Sequence, residues 1–222
     1  MNRGMTFGVY NTAAELWTLT AWGLSEAKHQ ENLVDVPGRQ AGPLDLSTAL
    51  TDGEPVFGAR SLSATFESSE GTRLERKYRI DNMINRLAGR QLQITLPDDP
   101  DRYLIGRLTV TELYNDLAHC SVKVEATCEP WKYAKALTVI ELEATTTEKA
   151  VKLPNAGRLT VCPTIEIIGE GAGVTLLFGE LRTSVLGPGT WTLPDLQVPQ
   201  DGLELSYRGS GSIKLTYREA VL

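Results

Sequence analysis

Apolar and polar residues alternate with period two along most of this chain, the mark of strands that bury one face. The longest alternation runs from Ala118 to Cys128. Ala118, Cys120, Val122, Val124, Ala126 and Cys128 share one face, and His119, Ser121, Lys123, Glu125 and Thr127 share the other. Shorter alternations place Leu62, Ala64 and Phe66 on a strand, then Leu92, Ile94 and Leu96, and later Leu203, Leu205 and Tyr207, followed by Ile213, Leu215 and Tyr217. Turn signals fall between them: Pro37-Gly38, Asp52-Gly53, Pro97-Asp98-Asp99-Pro100, Gly187-Pro188-Gly189, Asp201-Gly202 and Gly209-Ser210-Gly211. This spacing predicts antiparallel sandwiches rather than βαβ units.

One segment has a different period. From Thr72 to Arg90, Leu74, Tyr78, Ile84, Leu87 and Ala88 recur at helical spacing. Thr72 and Glu75 form a capping box, and Gly89 supplies a stop, so a helix is expected over 72–90. The stretch Arg73 to Arg90 carries six basic residues and two acidic ones, a net +4. At ~100° per residue, Arg76, Arg79, Arg86 and Arg90 fall within roughly 80° of one another. These four form a candidate contact face for an acidic partner surface, with an ordinary solvated face as the plain alternative.

The alternating strand closes in Pro130-Trp131-Lys132-Tyr133, where Pro130 ends the pairing. New strands begin near Leu137. These features divide the chain into residues 1–135, with the helix, and residues 136–222. The expected class is mainly β, with two sandwich domains and one helix.

The 222 residues are 41% hydrophobic and 23% charged, with a net charge of -6, a composition suited to folded domains. An acidic chain is a poor partner for nucleic acid. No apolar run approaches the ~18 residues that span a bilayer, so no membrane insertion is expected. Leu16 to Leu24 is interrupted by Thr18 and Thr20 and preceded by Glu15, which does not read as a secretory leader. Cys120, Cys128 and Cys162 show no paired framework, so they read as reduced, small apolar residues.

Candidate chemistry is thin. His29 and His119 are the two histidines, no GxSxG elbow occurs, and no histidine stands at metal spacing from another ligand. Asp98, Asp99 and Asp101 could hold a cation or act as acid and base, but Asp and Pro at a hairpin tip are ordinary turn chemistry. Gly169, Gly171 and Gly173 lack the third glycine and the helix of a phosphate loop, so a hairpin turn is expected there. Of Trp17, Trp22, Trp131 and Trp191, the last lies in a strand between Thr190 and Thr192. It is the candidate sugar contact, against the commoner fate of core packing. No enzyme, cofactor or metal site is expected.

A set of motifs in fixed order then stands out. Val34-Asp35-Val36-Pro37-Gly38 leads to Gly42-Pro43-Leu44-Asp45-Leu46-Ser47. Arg60 opens a strand that ends at Phe66, and the helix follows. Next come Leu87-Ala88-Gly89-Arg90, the Asp98-Asp99-Pro100 turn, Tyr103-Leu104-Ile105-Gly106-Arg107-Leu108 and Pro130-Trp131-Lys132-Tyr133. This series resembles the distal tail protein of long-tailed, non-contractile bacteriophages, the siphophage tail component family. The resemblance covers about residues 30 to 135 and rests on Pro37, Gly38, Gly42, Asp45, Leu46, Arg60, Asp99, Gly106 and Arg107.

The resemblance implies an N-terminal β-sandwich with a helix and a hairpin, six copies of which form a ring. It implies a galectin-like C-terminal sandwich. The implied role is a virion hub at the distal end of the tail, made in the host cytoplasm. Its partners would be further copies of itself, the tail tube protein and the tail-tip or receptor-binding proteins. The competing reading is a carbohydrate-binding module or adhesin that engages cell-surface glycan through the second domain and Trp191. A polysaccharide hydrolase ranks last, because no carboxylate pair points to one.

Overall fold

The computed structural model describes residues 4–37, 42–51, 53–178, 181–182 and 186–222. It divides into two compact units, 1–132 and 133–222. The chain is mainly β with one helix, the class expected from the sequence.

The first unit contains β1 (Thr6–Phe7), β2 (Tyr10–Asn11), β3 (Thr18–Leu24), β4 (Leu33–Val34), β5 (Leu44–Asp45), β6 (Arg60–Ser68), α1 (Arg73–Leu87), β7 (Gln91–Thr95), β8 (Arg102–Asn115) and β9 (Cys120–Cys128). Its main sheet runs β2-β1-β7-β8-β9-β6-β3 with antiparallel pairings. Among the described residues, β4 and β5 form a separate two-stranded sheet. In β9 the alternation is observed: Cys120, Val122, Val124, Ala126 and Cys128 are buried, while Glu125 and Thr127 are exposed. Ser121 departs from it and is buried too. The strand starts at Cys120, because Asp116 to His119 form the turn, with the Asp116 N–H donating to the His119 carbonyl at 3.0 Å.

The N-terminal stretch supplies strands that the alternation did not announce. β3 is an edge strand paired to β6, with a register shift between Leu19 and Ala21. Just before it, Trp17 is fully buried, and its indole N–H donates to the Tyr10 hydroxyl at 3.0 Å. Met5, Phe7, Tyr10 and Trp17 join Ile80, Met83 and Leu87 of α1 in one core with the inner face of β9.

The second unit contains β10 (Lys132–Ala134), which begins at the unit boundary, and β11 (Thr138–Ala144), β12 (Lys149–Leu153), β13 (Thr164–Phe178), β14 (Leu181–Arg182), β15 (Gly189–Thr192), β16 (Leu203–Tyr217) and β17 (Ala220–Val221). β13 and β16 pair along most of their length. β11 and β12 pair with opposite ends of β16, and β15 and β14 with opposite ends of β13. The glycines expected to turn the chain at 169–173 and 209–211 lie inside these two strands instead. Gly169, Gly171, Gly209 and Gly211 have φ of 138°, 67°, 143° and 100°, values that only glycine adopts freely.

These glycines bend the strand pair without ending it. The register slips between Ile168 and Gly173. On β13 the buried set accordingly changes from Ile165 and Ile167 to Ala172, Val174, Leu176 and Phe178, a change of parity. β16 keeps odd positions buried throughout, from Leu205 and Tyr207 to Ile213, Leu215 and Tyr217. Both halves of the bent pair contribute to one core. Cys162, expected to be a reduced, small apolar residue, is a free thiol and exposed, and it donates to the Leu193 carbonyl at 3.1 Å.

Candidate functional site

The sequence singled out α1, and its ends are built as expected. The Thr72 hydroxyl accepts from the Glu75 N–H at 3.3 Å, and the Glu75 carboxylate accepts from the Thr72 N–H at 2.7 Å. That second bond holds the Glu75 carboxyl below its ordinary range. The helix spans Arg73–Leu87 with Ala88 as C-cap. Gly89 follows at φ 75°, its N–H donating to the Leu108 carbonyl at 2.8 Å. Arg107 donates to the Gly89 carbonyl at 2.7 Å, so a motif arginine closes the helix terminus.

The faces of α1 differ from the expectation. Its buried residues are Arg76, Ile80, Met83 and Leu87. Leu74 and Tyr78, assigned to the inner stripe by spacing alone, are 61% and 65% exposed. The basic arc straddles the edge of the buried stripe. Arg76 is 2% exposed and is removed from the candidate contact face. Its guanidinium donates to the carbonyls of Gly71 at 2.6 Å, Asp116 at 2.9 Å and Leu117 at 3.0 Å. Three carbonyls explain how a charged group stays folded inside.

Arg79 is half-buried and donates to the Ser68 hydroxyl at 2.7 Å and the Glu70 carbonyl at 3.3 Å. Arg86 and Arg90 are exposed. The Arg86 guanidinium lies 6.0 Å from the centre of the Tyr10 ring, a cation–π contact. The outward surface of α1 exposes Leu74 and Tyr78 among polar neighbours, Glu75, Asn85 and the half-exposed Asp81, with Arg73 and Arg86 exposed near its two ends.

The remaining motif residues are mostly structural. Pro37 and Leu46 flank the strands of the β4–β5 hairpin and are exposed, and Gly42 has φ 80°. Gly38 lies outside the described residues. The Asp45 carboxylate accepts from the Ser47 N–H at 2.9 Å, and the Ser47 hydroxyl and N–H together hold its pKa down. Arg60 is 7% exposed and its Nε donates to the Ser25 carbonyl at 2.8 Å. Gly106 sits where a Cβ would come within 2.7 Å of the Cys128 sulfur and 3.0 Å of Ile94, so no larger residue fits without displacement.

Asp98, Asp99 and Asp101 occupy the turn between β7 and β8. Asp99 forms long ion pairs with Arg102 at 3.5 Å and Lys132 at 3.8 Å, beside a groove that Trp22 also lines. Among the described residues no cluster of His, Cys, Asp and Glu is placed to hold a metal. Trp191 lies on β15, is 39% exposed, and donates its indole N–H to the Gly187 carbonyl at 3.0 Å. No described helix is long and apolar enough to cross a membrane.

These elements define a mainly β chain whose one helix among the described residues exposes Leu74, Tyr78 and several arginines. Its fold is similar to that of the Dit protein (gp 19.1) of SPP1, which belongs to the hub adsorption apparatus of phages that infect Gram-positive bacteria. The likeness covers 99% of each chain, with a TM-score of 0.70 and 17% identity. The expected distal-tail-protein fold is thus the fold observed. Weaker likenesses are to chains of the phage P2 baseplate in its activated conformation. With Ca the TM-score is 0.45 and the identity 8%, over 95% of this chain and 92% of that one. With Sr they are 0.45 and 8%, over 96% and 97%. No family model matches the sequence, and no curated protein matches it.

Proposed function

We propose that this chain is a structural protein of a siphophage virion: the distal tail hub, six copies of which form a ring joining the tail tube to the tail-tip or baseplate proteins that carry host adsorption. The observation that carries this reading is the SPP1 Dit fold, shared over 99% of both chains and through both units. The ordered motif series between residues 30 and 135 supports it independently. In this reading residues 1–135 form the ring. The role is mechanical rather than catalytic. The two histidines pack edge-on against Phe57 and Tyr114, an arrangement suited to structure.

The test is the solution mass by size-exclusion chromatography with light scattering, at low and moderate salt. The protomer is 24.3 kDa, so a hexamer weighs 145.8 kDa. A species at that mass supports the ring. A monomer at every concentration, both alone and mixed with tail tube protein, would sink it.

A glycan-binding role for the second unit rests on one observation, the exposed Trp191 between Thr190 and Thr192 on β15. If it holds, glycan binding by the full chain is lost in Trp191→Ala.

A further inference from the structure

The edge strand β3 and the β7–β8 turn border a groove of about 500 Å³, a volume within the ~300–1,000 Å³ range of small-molecule sites. Trp22 and Leu24 line it from β3, Asp98, Asp99 and Arg102 from the turn and the start of β8, and Lys132 from the start of β10. All of these residues lie in the first unit.

A bulge makes the aromatic wall. Early in β3, Leu19 lies opposite Phe66, so strict alternation would put Ala21 on that face and Trp22 on the other. The register shift between Leu19 and Ala21 changes the parity, and Trp22 comes opposite Ala64 and Leu24 opposite Leu62. Ala64 and Leu62 are buried, so Trp22 shares the core-facing side of the strand. Because β3 is the edge of the sheet, the ring still stays 36% exposed where it borders the groove. Bulges re-aim side chains in this way beside functional sites.

The polar wall is held loosely. The Asp99 carboxylate lies 3.5 Å from the Arg102 guanidinium and 3.8 Å from the Lys132 ammonium, longer than the ~2.7–2.9 Å of a charge-assisted hydrogen bond. A hydroxyl group can therefore donate to the carboxylate and accept from either cation without breaking a tight pair. Asp98 is exposed beside them. Two acids and two bases line the groove, so their formal charges cancel.

We propose that this groove binds a neutral saccharide, with a pyranose ring packed on Trp22 and its hydroxyls shared between Asp99, Arg102 and Lys132. The C–H face of a pyranose is apolar and its rim carries hydroxyls, so it needs an aromatic plane beside both donors and acceptors. A phosphate-rich polymer would meet two carboxylates, and a polycation would meet Arg102 and Lys132, and such like-charge contacts disfavour both. The site is separate from Trp191, which lies in the second unit, and it does not depend on the chain forming a ring.

The test titrates the full chain with maltotriose, cellotriose, chitotriose and galactotriose, each to about 10 mM, by calorimetry and saturation-transfer NMR. At least one is expected to bind. Trp22→Ala and Asp99→Asn are each expected to weaken that binding about tenfold or more, and Trp22→Phe, which keeps an aromatic plane, to retain most of it. Arg102→Ala removes a donor at an exposed position, so it decides even where Trp22→Ala disturbs the strand; the expected loss is about fivefold. Trp191→Ala is expected to leave binding unchanged, and poly(glycerol phosphate) not to compete. Three results would each overturn the site: no binding of any of the four sugars, binding lost in Trp191→Ala but kept in Trp22→Ala, or displacement by poly(glycerol phosphate). None of them touches the hub reading, which the solution mass tests separately.

Discussion

The guanidinium of Arg76 holds the main chain of Asp116, a residue forty positions further on, through a 2.9 Å bond to its carbonyl. The same nitrogen reaches the Leu117 carbonyl at 3.0 Å. The Asp116 carboxylate in turn accepts from the Ala118 and His119 N–H groups at 2.8 Å each, which holds its pKa down. A buried charge on α1 therefore organises the tip of the β8–β9 hairpin. Arg76→Met keeps the stem and removes three donations, so we expect a loss of about 2–3 kcal/mol in denaturant unfolding. Amide exchange at Ala118 and His119 should accelerate more than at Val124, in mid-strand. Uniform acceleration along β9 would show that Arg76 supports only global stability.

The bend in the second unit makes a sharper demand on side-chain size. A Cβ on Gly211 would lie 2.6 Å from the Ala172 Cβ and 2.8 Å from the Ile168 carbonyl oxygen, and one on Gly209 would lie 2.9 Å from the Val174 Cα. Both positions also have positive φ. Overpacking and backbone strain together predict a loss of about 3 kcal/mol for Gly209→Ala or Gly211→Ala. Gly187→Ala is the control, since nothing lies within 4 Å of its Cβ position. Thermal unfolding of the three variants decides. Equal midpoints would mean that the strand pair bends without needing glycine.

Those glycines also show where the sequence stops being legible. A glycine pair marks a change of direction, but whether the strand ends or bends depends on the partner beside it. Here Gly169 and Gly171 become a bend because Gly209 and Gly211 come alongside from forty residues away. β9 was readable because its whole inner face meets the core. β3 was not, because an edge strand with a register shift buries too little to impose a period. Spacing alone groups Arg76 with the solvated arginines, since only the carbonyls of a distant turn make its burial tolerable. The capping box at Thr72 and Glu75 was readable because it is local.

Alkaline pH should weaken the fold. Burial pushes the Tyr10 phenol up to about 12, against a smaller opposing effect of the Trp17 indole N–H, which favours the phenolate. Burial raises Tyr217 to about 12, with Glu219 adding to it, and burial raises the Cys128 thiol to about 11. Each group is raised above its unfolded value, so the folded state holds its proton longer. The stability is fully present below the unfolded values, ~8.5 for the thiol and ~10 for the phenols. It is lost as pH rises from there through 11 and 12. Tyr10 alone accounts for up to about 2–3 kcal/mol. Denaturant midpoints at stepped pH should be flat near neutrality and fall above about 9, with a shallower fall in Tyr10→Phe. A phenolate signal near 10 in the folded protein that disappears in Tyr10→Phe would refute this.

Reversing charge on α1 separates electrostatic from structural contributions to assembly. Arg86 is exposed and lies over the Tyr10 ring, so Arg86→Glu mainly changes the field around the helix. Arg79 also ties α1 to Ser68 and Glu70, so Arg79→Glu disturbs the junction with β6 as well. In the hub reading both variants weaken ring formation at low salt, each by about two- to fivefold in the association constant, as exposed ion contacts do. Raising the salt to ~1 M shortens the screening length to ~3 Å and should erase the deficit of Arg86→Glu. The deficit of Arg79→Glu should persist in part, because hydrogen bonds to a hydroxyl and a carbonyl are not screened in the same way. Light scattering of both variants across a salt series measures this. If both deficits vanish together, Arg79 acts only as a charge. If neither variant shows a deficit at any salt, the basic face of α1 takes no part in assembly.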